Sequence, residues 1–218
     1  MTVPRLSGAS RTPETASGLA DRLLIFTDRR QLPAGRQLVD SIAAAVEGGA
    51  RQVVLRERDL PAAERERLAA ELADVVHPAG GRLFAAAPGV DGCDGVQLRA
   101  AEPMPSPRPA YVGRSCHDSV ELDRAARERC DHVTLSPVAV TASKPGYGPA
   151  LGRAGLRGCL DAVPDHPPVF ALGGVTPANA LQWRAGGAYG VAVMGGVMRA
   201  ADPAVVVAAL LDALAVAQ

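Results

Sequence analysis

The chain has 218 residues, a length that suits one domain with a sizeable core. Its 23 Lys and Arg balance its 23 Asp and Glu, so nothing in the charge favours nucleic acid or an anionic membrane surface. Hydrophobic residues make up 48% and aromatics only 3%, which builds buried strands and helices but no platform for stacking bases, and no apolar run is long enough to span a membrane.

Residues 1–20 are rich in Ser, Thr, Arg and Ala and lack the apolar core of a secretory signal, so they read as a flexible N-terminal arm ahead of one domain over 21–218. The first strand is expected at 23–28 (LLIFTD), followed by a helix over 36–49 with Leu38, Val39, Ile42, Ala45 and Val46 on one face. The second strand is 52–57 (QVVLRE), and Pro61 is placed at the first helical position of a helix running to about Val76. A third strand over 82–87 (RLFAAA) leads into 88–94, too short and glycine-rich for a crossover helix. A fourth strand over 95–99 (GVQLR) leads into the proline-rich 101–109, at most a turn of helix. The fifth strand is 111–115, with Asp118 capping a helix to about Arg129. The sixth is 132–137, followed by a long loop over 138–152 and a short helix over 155–163. Two further strands, 169–172 and 191–194, flank a helix over 177–185. Asp202 and Pro203 open a last helix to about Val216. Eight strands alternating with crossovers predict a single α/β domain, a (β/α)8 barrel with shortened crossovers after strands three and four. The four cysteines (Cys93, Cys116, Cys130, Cys159) have no C-x-x-C or framework spacing and read as free thiols of a reducing compartment, the cytoplasm.

In such a barrel the working residues gather at the C-terminal strand ends. The seventh and eighth strands each end in a glycine pair, Gly173-Gly174 and Gly195-Gly196, whose backbone N–H groups are open to an anion. Thr141, Ser143 and Lys144 are placed to wall the same phosphate cradle. Arg56 and Arg58 alternate with Glu57, so if the arginines face the barrel mouth, Glu57 pairs outside it. Ser115 and His117 follow on strand five, and His117 is a candidate acid or base.

The order LLIFTDRR, GGARQVVLRERD, CDGVQLR, YVGRSCHD, DHVTLSPVAVTASKPGYGPALG, VFALGGVTPAN and GAYGVAVMGGV resembles the thiamine phosphate synthase/TenI superfamily from Leu23 onward. That resemblance implies a (β/α)8 barrel holding a small phosphorylated thiazole. It implies one of two activities. A synthase joins a hydroxymethylpyrimidine diphosphate to the thiazole phosphate with Mg2+; a TenI-type tautomerase aromatises a carboxythiazole phosphate by proton transfer and needs no cofactor. Both share the glycine cradle, with Gly195 where a Ser is frequent. Thr141, Ser143, Lys144 and Ser115 match the synthase pattern, but its strand-two Gln is Val54 and its Lys is Arg58. The Asn-Asp after strand three becomes Ala86-Ala87, the strand-four His is Gln97, and only Glu102 aligns with a Mg2+ carboxylate. The tautomerase's histidine after strand six is Pro137, leaving His117, Ser115 or Glu57 for catalysis. The expectation leans to the tautomerase, with the synthase, and then a non-catalytic thiazole or thiamine phosphate-binding regulator, as alternatives. A homo-oligomer is compatible with either enzyme.

Overall fold

A computed structural model of the chain describes residues 22–141 and 149–215. Eight strands pair in parallel in chain order: β1 (Leu23–Phe26), β2 (Gln52–Leu55), β3 (Arg82–Ala85), β4 (Gly95–Leu98), β5 (Val112–Cys116), β6 (His132–Leu135), β7 (Val169–Leu172) and β8 (Gly190–Val193). The β1–β8 pairing, with Leu24 opposite Ala192, closes the sheet into a barrel. Helices α1 (Leu38–Glu47) and α2 (Ala62–Val76) follow β1 and β2, and α3 (Ser119–Arg127), α4 (Gly152–Ala162) and α5 (Ala180–Ala185) follow β5, β6 and β7. After β8 come α6 (Gly195–Met198) and α7 (Pro203–Ala215). No helix occupies 86–94 or 99–111, so the two shortened crossovers stand where the Gly- and Pro-rich composition put them.

The period of two along each strand divides the core. Leu23, Ile25, Val53 and Leu55 point outward and pack under the helices. Leu24, Phe26, Val54, Phe84, Phe170 and Ala192 fill the barrel interior. The chain's few aromatics are concentrated there: all three phenylalanines are inside, with Phe84 stacked on Tyr111 at 5.1 Å and Phe170 edge-on to Tyr189 at 5.4 Å. This ring layer plugs the lower barrel, so any open space must lie above it.

Several element ends differ from the sequence reading. Six strands stop one or two residues early, β5 runs one residue later than expected and β7 keeps its bounds; Asp28, expected in β1, instead caps a 3-10 turn, accepting from the Arg30 N–H at 3.2 Å. Pro61 is the residue before α2, extended at φ −52 and ψ 150, because it supplies no N–H and ends the preceding loop. Helix α4 starts at Gly152, three residues early, where Leu151 and Gly152 donate to the carbonyls of Pro137 and Val138. The helix expected from Pro177 begins at Ala180. The caps at Asp118 and Asp202 are as expected: their carboxylates accept from Glu121 N–H and Ala204 N–H, both at 2.9 Å, each worth about 1 kcal/mol. Among the described residues no helix is long and apolar enough to cross a membrane.

Candidate active site

A cavity of about 730 Å3 opens at the C-terminal ends of the strands. Its floor is apolar, from Phe26, Ala86, Leu172 and Met194. Its walls are cationic. Arg56, Arg58 and Arg99 line it on the β2–β4 side and Arg199 on the β8 side, and no carboxylate lines it among the described residues.

Alternation at the end of β2 explains the first wall. Arg56 and Arg58 face the cavity, and Glu57 turns away to be 3% exposed. Its carboxylate accepts from the Arg29 backbone N–H at 3.0 Å and from the Arg29 guanidinium at 2.9 Å. Glu57 is therefore brought to the rim without lining the cavity, contrary to its expected place in catalysis. Arg29 also grips Asp59, holding that carboxyl well below the usual carboxylate range. Arg58 is pressed the other way: burial lowers its proton affinity, and neighbouring Arg99 and Arg56 lower it further, against a rise from Glu102. Glu102 does not line the cavity; one oxygen accepts from the Arg99 backbone N–H at 3.0 Å and lies 3.4 Å from the Arg58 guanidinium.

The opposite wall is the glycine end. Gly173 and Gly174 have φ of 102° and 65°, which places the turn after β7 in the left-handed region. Asn179 pins that turn: its amide donates to Gly174 O at 2.9 Å and its oxygen accepts from Thr176 N–H at 2.8 Å. Gly195 and Gly196 open α6, so the second glycine pair is the start of a short helix rather than a plain loop. A side chain on Gly195 would collide with the Arg199 guanidinium and the Gln31 amide, which bond each other there. Arg199 thus fills the place that a side chain at position 195 would take. Gly195→Ser is expected to fold normally, since both neighbours are ends of flexible side chains. It should push Arg199 aside and make phosphate affinity less salt-sensitive, as calorimetry at two ionic strengths would show. An unchanged salt dependence would remove Arg199 from the site.

Strand β5 carries three jobs on successive residues. Ser115 reaches the cavity. Arg114 points outward, fully buried, where it pairs with Glu128 and donates to the carbonyls of Arg99, Ala100 and Glu102 at 2.9, 3.0 and 2.7 Å. That fixes the segment presenting Arg99. Gly113 leaves room for a buried polar chain, because a Cβ there would strike both the Gln97 amide and the His132 ring. In the chain, His132 Nε2 lies 2.8 Å from Gln97 Oε1, and Gln97 Nε2 lies 3.3 Å from Ser115 Oγ. Burial pushes His132 down to about 4, so the ring is neutral near pH 7. Its Nδ1 has no partner among the described residues. A buried orphan N–H is rarer than a buried orphan acceptor, so the proton sits on Nε2 and donates to Gln97. The Gln97 NH2 then donates to Ser115, whose own proton is left for the cavity.

His117 lines the cavity with its Nδ1 2.8 Å from Glu121 Oε2, an i,i+4 pair at the start of α3. Thr141 lines it beside Val140. Ser143 and Lys144 lie outside the described residues. Cys116 faces the outer core, and burial pushes its thiol up to about 12, far from a thiolate. His132, Arg114, Glu121 and Arg199 line or support the cavity without having been singled out in the sequence reading.

Residues 23–197 match the family model described as thiamine monophosphate synthase. The chain is 34% identical over 207 residues to the thiamine-phosphate synthase of Methanoculleus marisnigri, covering 90% of this chain and 96% of that one. It is 34% identical over 204 residues to the thiamine-phosphate synthase of Roseiflexus castenholzii, covering 88% and 87%. Among solved structures it resembles the thiamine phosphate pyrophosphorylase from Pyrococcus furiosus, with TM-score 0.76 and 28% identity over 91% of this chain and 97% of that one.

Proposed function

The chain belongs to the thiamine monophosphate synthase family, and from that premise we propose that it joins a hydroxymethylpyrimidine diphosphate to a hydroxyethylthiazole phosphate, forming thiamine phosphate and releasing diphosphate. One observation carries the reading: a single cavity of about 730 Å3 has two separate cationic ends above an apolar floor. That suits two phosphorylated rings better than one. The names of the relatives weigh the same way, against the tautomerase expectation. In the reaction the bond between the pyrimidine methylene and the diphosphate oxygen breaks, its electron pair leaves with the diphosphate, and the thiazole nitrogen bonds the methylene carbon. The glycine end holds the thiazole phosphate. Arg56, Arg58 and Arg99 face the diphosphate, and the Ser115 hydroxyl donates a hydrogen bond to a diphosphate oxygen. Fixed donors aimed at charge as it develops are worth most in a water-poor site.

The Mg2+ that the family resemblance implies does not fit these residues. No carboxylate lines the cavity among the described residues, and Glu102 turns one oxygen to Arg58 and a backbone N–H.

The test is the full chain with both substrates, each omitted in turn, and thiamine phosphate read by mass spectrometry with EDTA or with Mg2+. No product under either condition sinks the reading. A thiazole tautomerase remains the second reading, favoured by the His117–Glu121 pair, which sets an imidazole oriented by a carboxylate on the cavity wall. It predicts aromatisation of the carboxythiazole phosphate that His117→Asn abolishes.

A further inference from the structure

We propose that the arginine end of this cavity is a metal-free diphosphate site, in which Arg56, Arg58 and Arg99 neutralise the departing diphosphate and no divalent cation takes part. The proposal rests on the synthase reading for its reaction, but not for its anion.

Charge placement is the argument. The three arginines line one wall with no carboxylate among the described lining residues. Two acids beside this wall are already engaged. Asp28 accepts from Gln31 at 2.7 Å and from the Arg30 N–H, and lies 3.6 Å from Arg56. Glu102 is held by Arg58 and by the backbone of Arg99. Asp28 is engaged at both oxygens and Glu102 at one, which leaves this wall a single open carboxylate oxygen for a hard cation that wants near-octahedral oxygen coordination. Among the described residues no group of three or more His, Cys, Asp or Glu gathers as a metal site. A divalent cation set here would also face three like charges. An anion would offset the burial that lowers Arg58's proton affinity and, after it, the repulsion from Arg99 and Arg56.

Arg99 is the residue that makes the site. Among the described residues its side chain forms no ion pair, and Arg114 clamps its backbone from below through three carbonyls of the same segment. The backbone that carries the charge is thus held in place. Planar guanidinium forks match the non-bridging oxygens of a phosphate two at a time. When the methylene–oxygen bond breaks, both electrons go to the diphosphate oxygen. The arginines keep their protons and hold the leaving group through charge-assisted hydrogen bonds.

Inorganic pyrophosphate is the probe, titrated calorimetrically into the full chain in EDTA and in Mg2+. Affinity should agree within about threefold in the two buffers. Arg99→Ala, at an exposed position, should keep its melting temperature and bind pyrophosphate roughly 10- to 100-fold more weakly, the worth of one charge-assisted contact. Glu102→Gln separates the alternatives by sign. It frees Arg58 and tightens pyrophosphate binding if the arginines are the site, and it weakens binding if Glu102 holds a metal. Binding that needs Mg2+, or an Arg99→Ala variant that binds like the parent, overturns the proposal. Failure of the reaction is distinguishable: no thiamine phosphate together with EDTA-insensitive pyrophosphate binding leaves the anion site standing. Thiamine phosphate formed only with Mg2+ leaves the reaction and removes the site.

Discussion

Gly196→Ala is expected to leave the fold untouched and to lower affinity for a phosphorylated thiazole by roughly 10- to 100-fold, about 1.5–3 kcal/mol for a charge-assisted hydrogen bond that can no longer close. The reason lies in what an added methyl group would meet. At Gly196 the nearest atom is Val175 O at 3.9 Å, so the protein itself has room for alanine. A glycine with room for a side chain has no packing reason to be glycine. What a Cβ would block is the approach of an anion to the backbone N–H groups at the start of α6. Gly174→Ala is the contrasting case. There φ is +65°, and the new Cβ would strike Val140 O and sit 2.8 Å from Ala139 Cβ, in the segment that leads to Thr141. The left-handed backbone costs about 1–2 kcal/mol and the overpacking a similar amount. A melting temperature lower by roughly 5–15 °C follows for a chain of this size. Scanning calorimetry and phosphate titration on the two variants separate the roles. If Gly196→Ala binds phosphate like the parent, the second glycine pair is a turn and not a cradle.

Much of this architecture was legible because it is local. Alternation of apolar runs with helix-length segments sets the barrel, and Gly- and Pro-rich stretches mark the two crossovers that lack helices. Alternation also placed Glu57 away from Arg56 and Arg58, and the structure shows what receives it, Arg29. Helix α6 was not legible. Four residues beginning with two glycines have no intrinsic preference for helix, and the turn forms because Val197 and Met198 donate back to Met194 O. The polar chain in the barrel could not be read either. His132 and Gln97 are 35 residues apart, and only the β4–β5–β6 register brings them together across Gly113. The Gly113-Arg114-Ser115 run drew notice as a family likeness, but its physical content is three separate demands: space, a clamp and a hydroxyl. The His117–Glu121 pair was in reach, since i,i+4 spacing on a capped helix places such residues side by side.

His132 carries the largest pH effect. Its folded value is pushed from 6.5 to about 4 by burial inside the barrel. The unfolded chain therefore takes up a proton between about pH 6.5 and 4 that the native chain refuses. Stability rises with pH wherever the unfolded state binds more protons, so the native state loses ground as pH falls through that window. At about 1.36 kcal/mol per unit, the loss reaches about 3 kcal/mol near pH 4. His132→Gln keeps an N–H donor near the Nε2 position and so can still hold Gln97, but it has no proton to gain. Its unfolding free energy at pH 7.5 should be close to or below that of the parent, and its acid limb should be shallower by about 3 kcal/mol between pH 6.5 and 4. Urea unfolding at four pH values across that range measures the difference, which cancels the contribution of paired carboxylates elsewhere, such as Asp59. His132→Phe fits the ring layer of Phe84, Tyr111 and Phe170 but strands Gln97 Oε1. It should flatten the acid limb equally while costing about 1–3 kcal/mol at pH 7.5 for the unpaired amide. With the amide free to turn, Ser115 would lose its fixed donor and its own proton its fixed direction. The glutamine variant should keep kcat near the parent's and the phenylalanine variant should lower kcat with little change in KM. Parallel acid limbs in all three proteins would mean that His132 titrates normally and that the buried chain beneath Ser115 is not the neutral relay the barrel geometry makes it.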